Sequence, residues 1–129
     1  MSLFNQIINF LKRIVPGKYK VLKLWEVDKT ESAKIKKQTG YEVDRYTHSI
    51  DSYSIKHIQD RHPDLEKNDI AKIPDIIHQP DQMYDAGNKH IGYKKEFKDK
   101  VFTYIEEILS KKKRLNSKTL YKNKKKNDG

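Results

Sequence analysis

Residues 82–121 break into four short segments of strand character joined by tight turns, and this constrains the fold more than any other feature of the chain. Gln82 to Tyr84 opens the series, and Asp85-Ala86-Gly87-Asn88 reads as a turn. His90 to Phe97 follows, then a charged turn at Lys98-Asp99. Val101 to Leu109 is the most apolar segment, and Lys111-Lys112-Lys113 is its loop before Arg114 to Tyr121. Connections this short join antiparallel neighbours, so the spacing predicts a β-meander.

The residues before it are largely helical. Leu3, Ile7, Phe10 or Leu11, and Ile14 recur at helical spacing, with Ser2 as N-cap and Pro16-Gly17 as the stop. This amphipathic helix is expected to pack on the domain; an interfacial membrane helix or a partner-binding helix is the alternative. Lys20 to Val27 predicts a strand, Thr30 to Gln38 a short polar helix ended by Gly40, and Tyr41 to Ser49 an extended stretch. Asp51 or Ser52 caps a helix running to Arg61, with Ile55 and Ile58 inward, and His62-Pro63 ends it. Leu65 to His78 carries Ile70, Ile73, Ile76 and Ile77, a second helix with a kink or new first turn at Pro74. Helices followed by a run of strands indicate the α+β class. The expected division is an N-terminal helix and extension over 1–40, an α+β domain over 41–122, and a disordered basic tail over 123–129.

At 129 residues the chain suits one domain with a modest core. Its 28 Lys and Arg against 18 Asp and Glu give a net charge of +10. From Lys89 to Gly129 there are 14 basic and 5 acidic residues, so +9 of that charge sits in the last third. Such a field draws phosphate backbones or anionic lipid. The chain has no Cys, which excludes disulfides and thiolate metal sites and fits a cytoplasmic location. No apolar run approaches a membrane span, and the first residues do not read as a secretory signal, because the charges follow the apolar stretch.

Three of the five histidines, His48, His57 and His62, fall within fifteen residues. Imidazole gives and takes protons near neutral pH, and RNA cleavage needs both roles: a base for the ribose 2′-hydroxyl and an acid for the leaving 5′-oxygen. His57 and Arg61 share a helix face at i, i+4, while His62 lies about 140° round from His57 on an ideal helix. His62 can still turn toward the same cleft because the helix ends there. The His-x4-His spacing without Cys argues against zinc, and no metal or cofactor is expected. Lys94 and Lys95 point to opposite faces of one strand, so only one can line a site. Thr119 and Tyr121 share a face of the last strand and Lys118 belongs to the other; Glu106 and Glu107 face opposite ways. Thr119 can donate to a phosphate oxygen, and Tyr121 can stack on a base.

The run SIDSYSIKHIQDRHPDL, then DIAKIPDIIHQPDQMYD, then charged strands ending in KTLYKNKKK, resembles the phage-associated nuclease domains of the Barnase–EndoU–colicin–RelE group. The resemblance covers about residues 46–126 and rests on the order of an HI-x-x-RH helix, a P-D-x-x-x-D turn and a terminal strand with Thr near an aromatic. It implies N-terminal helices followed by a four-stranded antiparallel sheet. It also implies metal-independent RNA cleavage of the toxin type, with tRNA a candidate substrate and an immunity or antitoxin protein a candidate partner. A toxin of this kind can also be delivered into a target cell. The matching positions are His57, Arg61, His62 and Thr119, with Lys94 or Lys95 and Tyr121 as looser matches. The expected roles are His57, His62 and Thr119 in catalysis and Arg61, Lys94, Lys95 and Tyr121 in RNA binding. The rival readings are a non-catalytic RNA- or DNA-binding module, and a peripheral membrane or phage-structural protein.

Overall fold

The computed structural model describes residues 1–125, in the order α1 (Leu3–Lys12), β1 (Val21–Glu26), α2 (Lys29–Thr39), β2 (Thr47–Asp51), α3 (Ser52–Arg61), α4 (Lys67–Ile70), α5 (Ile73–His78), β3 (Gln82–Gly87), β4 (His90–Phe97), β5 (Lys100–Leu109) and β6 (Arg114–Lys124). All six strands belong to one sheet, ordered β1-β2-β6-β5-β4-β3. The class is α+β, but the four-stranded antiparallel expectation needs correcting. Only β3 to β6 form the meander, and the sheet goes on through a parallel β2–β6 pair and an antiparallel β1–β2 pair. Nothing local announces a parallel partner, because its register is set by chain sixty-seven residues away (Thr47↔Arg114). β1 comes from within residues 1–40, which the sequence sets apart as an extension.

Local signals placed the helices well. Ser2 Oγ accepts from the Asn5 N–H, Asp28 caps α2, and Gly40 ends α2 at φ 83°. The expected second helix splits into α4 and α5, with Pro74 in the first turn of α5, where its missing N–H leaves no helical bond unmade. Of the expected extended stretch, Tyr41 to Ser49, only residues 47–49 are strand, and β2 goes on to Asp51. The first hairpin turns at Asn88-Lys89 (φ 50° and 60°), two residues beyond the centre of the expected Asp85-Ala86-Gly87-Asn88 turn, because a two-residue turn needs consecutive positive φ values. β6 runs through Lys124, so Asn123 and Lys124 of the expected tail are paired strand. Backbone pairing with Val101 and Lys100 holds them although no side chain is apolar, and Lys125 N donates to Asp99 O at 2.7 Å. Residues 126–129, the rest of that tail, lie outside the described residues.

The register defines two faces. On one, Trp25, His48, Leu115 and Ile108 form a row across four strands, and Met83, Tyr93, Tyr104 and Leu120 form another. Helix α5 packs on β4 and β5, and α1 on α4 and β1, which buries Ile7, Ile70, Ile73 and Ile76 completely. The opposite face carries the rows Gln82–Lys94–Thr103–Tyr121, Tyr84–Gly92–Ile105–Thr119 and His90–Glu107–Asn116–Ser49. No helix among the described residues is long and apolar enough to cross a membrane.

Candidate active site

The position of α3 follows from where β2 stops. β2 pairs with β6 over only three residues, ending at Ser49↔Asn116, and the chain then enters a helix at Asp51. Asp51 Oδ1 accepts from the Ser54 N–H at 2.7 Å, closing the first turn. Ile55 and Ile58 are buried, which holds the helix against the sheet. At its start Ser54 Oγ meets Ser117 Oγ at 2.5 Å, and just past its end the His62 ring lies 5.7 Å from the Tyr121 ring. Helix α3 therefore runs alongside the part of β6 that β2 leaves unpaired, and His57 stands between these two contacts. His57 is exposed, His62 half-buried and Arg61 exposed on the last turn.

The face of the sheet beside this helix carries Thr119 and Tyr121 from β6 and Lys94 from β4. Lys94 Nζ lies 5.9 Å from the centre of the Tyr84 ring, and Tyr84 covers Gly92, where an added Cβ would meet the ring at 2.3 Å. Burial, with the nearby Tyr121 hydroxyl, raises the pKa of Tyr84, so it stays a neutral phenol. Lys95 does not join this group. It points to the other face, where its Nζ donates to Gln79 O at 2.5 Å and lies 5.6 Å from the Phe97 ring. Alternation along β4 leaves Lys94 as the lysine beside Thr119 and Tyr121.

A cleft of about 340 Å³ opens at the N-terminal end of α3, with His57, Tyr53 and Ser54 from the helix, Glu107 from β5, and Asn116, Ser117 and Lys118 from β6. Lys118 belongs to this cleft, contrary to strict alternation along the last strand. The β5–β6 register shifts between Ile105↔Thr119 and Glu106↔Ser117, which leaves Lys118 as an extra residue in a β-bulge and re-aims it. The floor is tied by hydrogen bonds: Asn116 Nδ2 donates to Asp51 Oδ2 (2.6 Å) and Ser49 Oγ donates to Asn116 Oδ1 (2.9 Å). Buried Arg114 donates to Ser49 Oγ and to the Tyr19 hydroxyl, both at 3.3 Å.

The third clustered histidine has a different place. His48 is fully buried on the helix-covered face, with Nδ1 2.9 Å from Glu106 Oε2 and Nε2 2.7 Å from Glu31 Oε2. Tyr93 donates its hydroxyl to Glu106 Oε1 at 2.5 Å, and Trp25 Nε1 donates to Glu31 Oε1 at 3.0 Å. Burial alone would keep the imidazole neutral, but the two carboxylates outweigh it and push its pKa up to about 9. Sequence proximity to His57 thus does not place His48 beside it. Glu106 and Glu107 do face opposite ways, one into this network and one into the cleft.

Sequence reasoning missed Tyr84, Asp51 as part of the cleft floor, Glu107 and Asn116 as cleft residues, and Tyr19 and Tyr53 at its rim. A glycine in the middle of a strand, Gly92, was the available signal for a ring packed close to the backbone. Cleft residues drawn from five separate segments left no such signal.

The family model described as phage-Barnase-EndoU-ColicinE5/D-RelE like nuclease3 matches residues 26–128. Neither a curated protein nor a solved structure matches the chain. The match spans α2, all three helices that precede the meander, and every strand except most of β1, so it includes both the α3 histidines and the β6 face beside them. With four-fifths of its length inside that match, the chain belongs to the phage Barnase–EndoU–colicin–RelE like nuclease family.

Proposed function

We propose that the protein is an endoribonuclease that cleaves RNA by attack of the ribose 2′-oxygen on the adjacent phosphorus. The observation that supports this reading is the alignment of α3 along β6: His57 lines the cleft with Ser117 and Lys118, and the His62 ring lies 5.7 Å from Tyr121, on the strand face that also bears Thr119. One imidazole takes the 2′-hydroxyl proton as the O2′–P bond forms. The other gives a proton to O5′ as the P–O5′ bond breaks. The products are a 2′,3′-cyclic phosphate and a 5′-hydroxyl. We assign His57 as base and His62 as acid. Arg61 and Lys94 neutralise the phosphate, the Thr119 hydroxyl donates to a non-bridging oxygen, and Tyr121 holds the neighbouring base by stacking. The two imidazoles supply both proton transfers and the cations offset the phosphate charge, so the proposed reaction calls for no metal. Transfer RNA is the first substrate to try, in keeping with toxin-type use.

The test is purified protein with total RNA and with tRNA in EDTA, at several pH values between 5 and 8, with product ends identified. Cleavage leaving cyclic phosphate is the expected result. Intact RNA with protein shown to be folded overturns the reading, and salt-sensitive binding without cleavage would point instead to a binding module.

A further inference from the structure

The first 25 residues carry five basic side chains, Lys12, Arg13, Lys18, Lys20 and Lys23, and no acid before Glu26. All five are exposed, and none makes an ion pair among the described residues. They precede the span shared with the nuclease family, and the cleavage chemistry does not use them. Two of them, Arg13 and Lys20, stand at a groove of about 470 Å³ between α1 and β1. Phe10, Val21 and Leu22 supply its apolar surface, and Gln6 and Asn9 add amides. No acid is among the described residues that line it, whereas the cleft at the start of α3 holds Asp51 and Glu107.

The groove and the α3 cleft share a wall. Tyr19 lines the cleft with His57, and the next residue, Lys20, lines the groove. Neighbouring Cα atoms stand ~3.8 Å apart, so one thickness of chain separates the two. Ser52, the first residue of α3, fixes that wall. Its N–H donates to Lys20 O (2.9 Å) and its Oγ to Lys18 O (3.0 Å), while Lys20 N donates to the same Oγ (2.9 Å). The far wall is fixed as well, since α1 buries Ile7 completely and Leu11 almost so. An RNA strand that crosses Tyr19 from the side of His57 therefore meets two cations that no carboxylate offsets.

We infer that the groove between α1 and β1 is a second RNA-binding site, which holds the phosphate backbone beyond the cleft and makes the substrate a strand several nucleotides long. A guanidinium and an ammonium without carboxylate partners attract a polyanion, and each phosphate they neutralise releases counterions. The half-buried Phe10 ring offers a base an apolar surface. An anionic bilayer fits this surface less well. An interfacial helix needs its apolar stripe free, and in α1 that stripe, at Ile7 and Leu11, is already taken up by the core. The inference rests on the ribonuclease reading for the path of the strand, and it can fail separately from it.

Binding of the full chain to 2′-O-methyl oligonucleotides of about 4 and about 16 nucleotides, the ~4–16 range of single-strand sites, tests the groove. These strands lack the attacking hydroxyl, so cleavage does not intervene. The longer one should bind about a hundredfold more tightly, roughly a tenfold margin over what its extra binding registers supply. Arg13→Gln combined with Lys20→Gln, both at exposed positions, should remove that margin. The slope of log affinity against log salt should fall by about 1.4, or ~0.7 for each phosphate contact. Lys29→Gln combined with Lys37→Gln takes the same charge from exposed positions of α2 and should leave the margin intact. A length advantage no larger than the registers supply, or an equal loss in both double variants, sinks the groove even if RNA is cut efficiently. Polyglutamate or phosphatidylglycerol vesicles competing as well as RNA at equal charge would also overturn it, by showing a general anion surface. A length advantage that depends on Arg13 and Lys20, with no cleavage of ordinary RNA, keeps the groove and overturns the ribonuclease reading instead.

Discussion

His48 Nδ1 stands 2.9 Å from Glu106 Oε2 inside the protein, where both side chains are essentially inaccessible to water. Glu31 completes the arrangement from α2, 2.7 Å from the other ring nitrogen. The imidazolium thus joins β2, β5 and α2. Burial favours loss of its proton, yet the paired carboxylates hold it, with a pKa of about 9 against an ordinary value of 6.5. A group whose pKa is raised by folding stabilises the fold fully below its unfolded value and loses that contribution as pH climbs through the folded one. Glu31 is shifted the other way. Burial works against its ionised form, but the His48 hydrogen bond and charge bring it below its ordinary 4.5. Its contribution is present above about that pH and is lost as pH falls through the depressed value.

Stability, measured by urea unfolding across pH, should therefore be highest between about pH 5 and 6.5 as far as this network decides it, and should decline between pH 7 and 9. In His48→Gln that alkaline decline should vanish, and the variant should lose about 3–5 kcal/mol, because Glu106 is left as a buried charge without its partner. An unchanged alkaline profile in the variant would show that His48 is not the titrating group.

His57 and His62 predict large losses of activity with little loss of fold. His57 is exposed and His62 half-buried, so alanine at either site removes few core contacts. Each replacement should lower the RNA cleavage rate at least ~100-fold while thermal unfolding shifts little. Wild-type rates in either variant would remove that histidine from the mechanism.

Lys94 and Lys95 are adjacent in sequence and separated by the sheet. Lys94→Ala should weaken RNA binding and lower the slope of log affinity against log salt by about one. Lys95→Ala should leave that slope nearly unchanged and act on stability instead, through loss of its bond to Gln79 O. Salt titrations of both variants decide the matter; equal effects would mean that the RNA does not lie on the Tyr121 face.

Gly92 is the position where the Tyr84 ring lies against the strand, and an added Cβ would come within 2.3–2.7 Å of three ring carbons. Gly92→Ala should therefore displace Tyr84 from the face it shares with Thr119 and cost about 1–3 kcal/mol, the usual range for overpacking. Thermal unfolding measures the cost. Tyr84→Ala in the same background should recover part of it by removing the clash. No recovery would place the strain elsewhere.

Much of the local structure was legible in the residues. Ser2 and Asp51 cap helices, Gly40 ends one, and Pro74 begins α5, all because capping and φ preference depend on atoms within four or five residues. The β3–β6 meander followed from short turns for the same reason, and the HI-x-x-RH helix with its later Thr119 carried the family. The strand end at Lys124 escaped local reading because pairing satisfies backbone groups whatever the side chains are.

What only tertiary structure decided is which residues meet. The parallel β2–β6 pairing is specified over a long separation in sequence, and it determines both where α3 starts and which side of β6 it covers. That placement sends His48 into the interior and leaves His57 at a cleft, although the chain sets the two only nine residues apart. A one-residue bulge opposite Glu106 then brings Lys118 into the cleft against simple alternation. Composition and spacing determined that this chain would be a basic α+β protein with one histidine on a helix and another at its end. Strand register, which reverses the face of a side chain with each single-residue step, decided what those histidines stand beside.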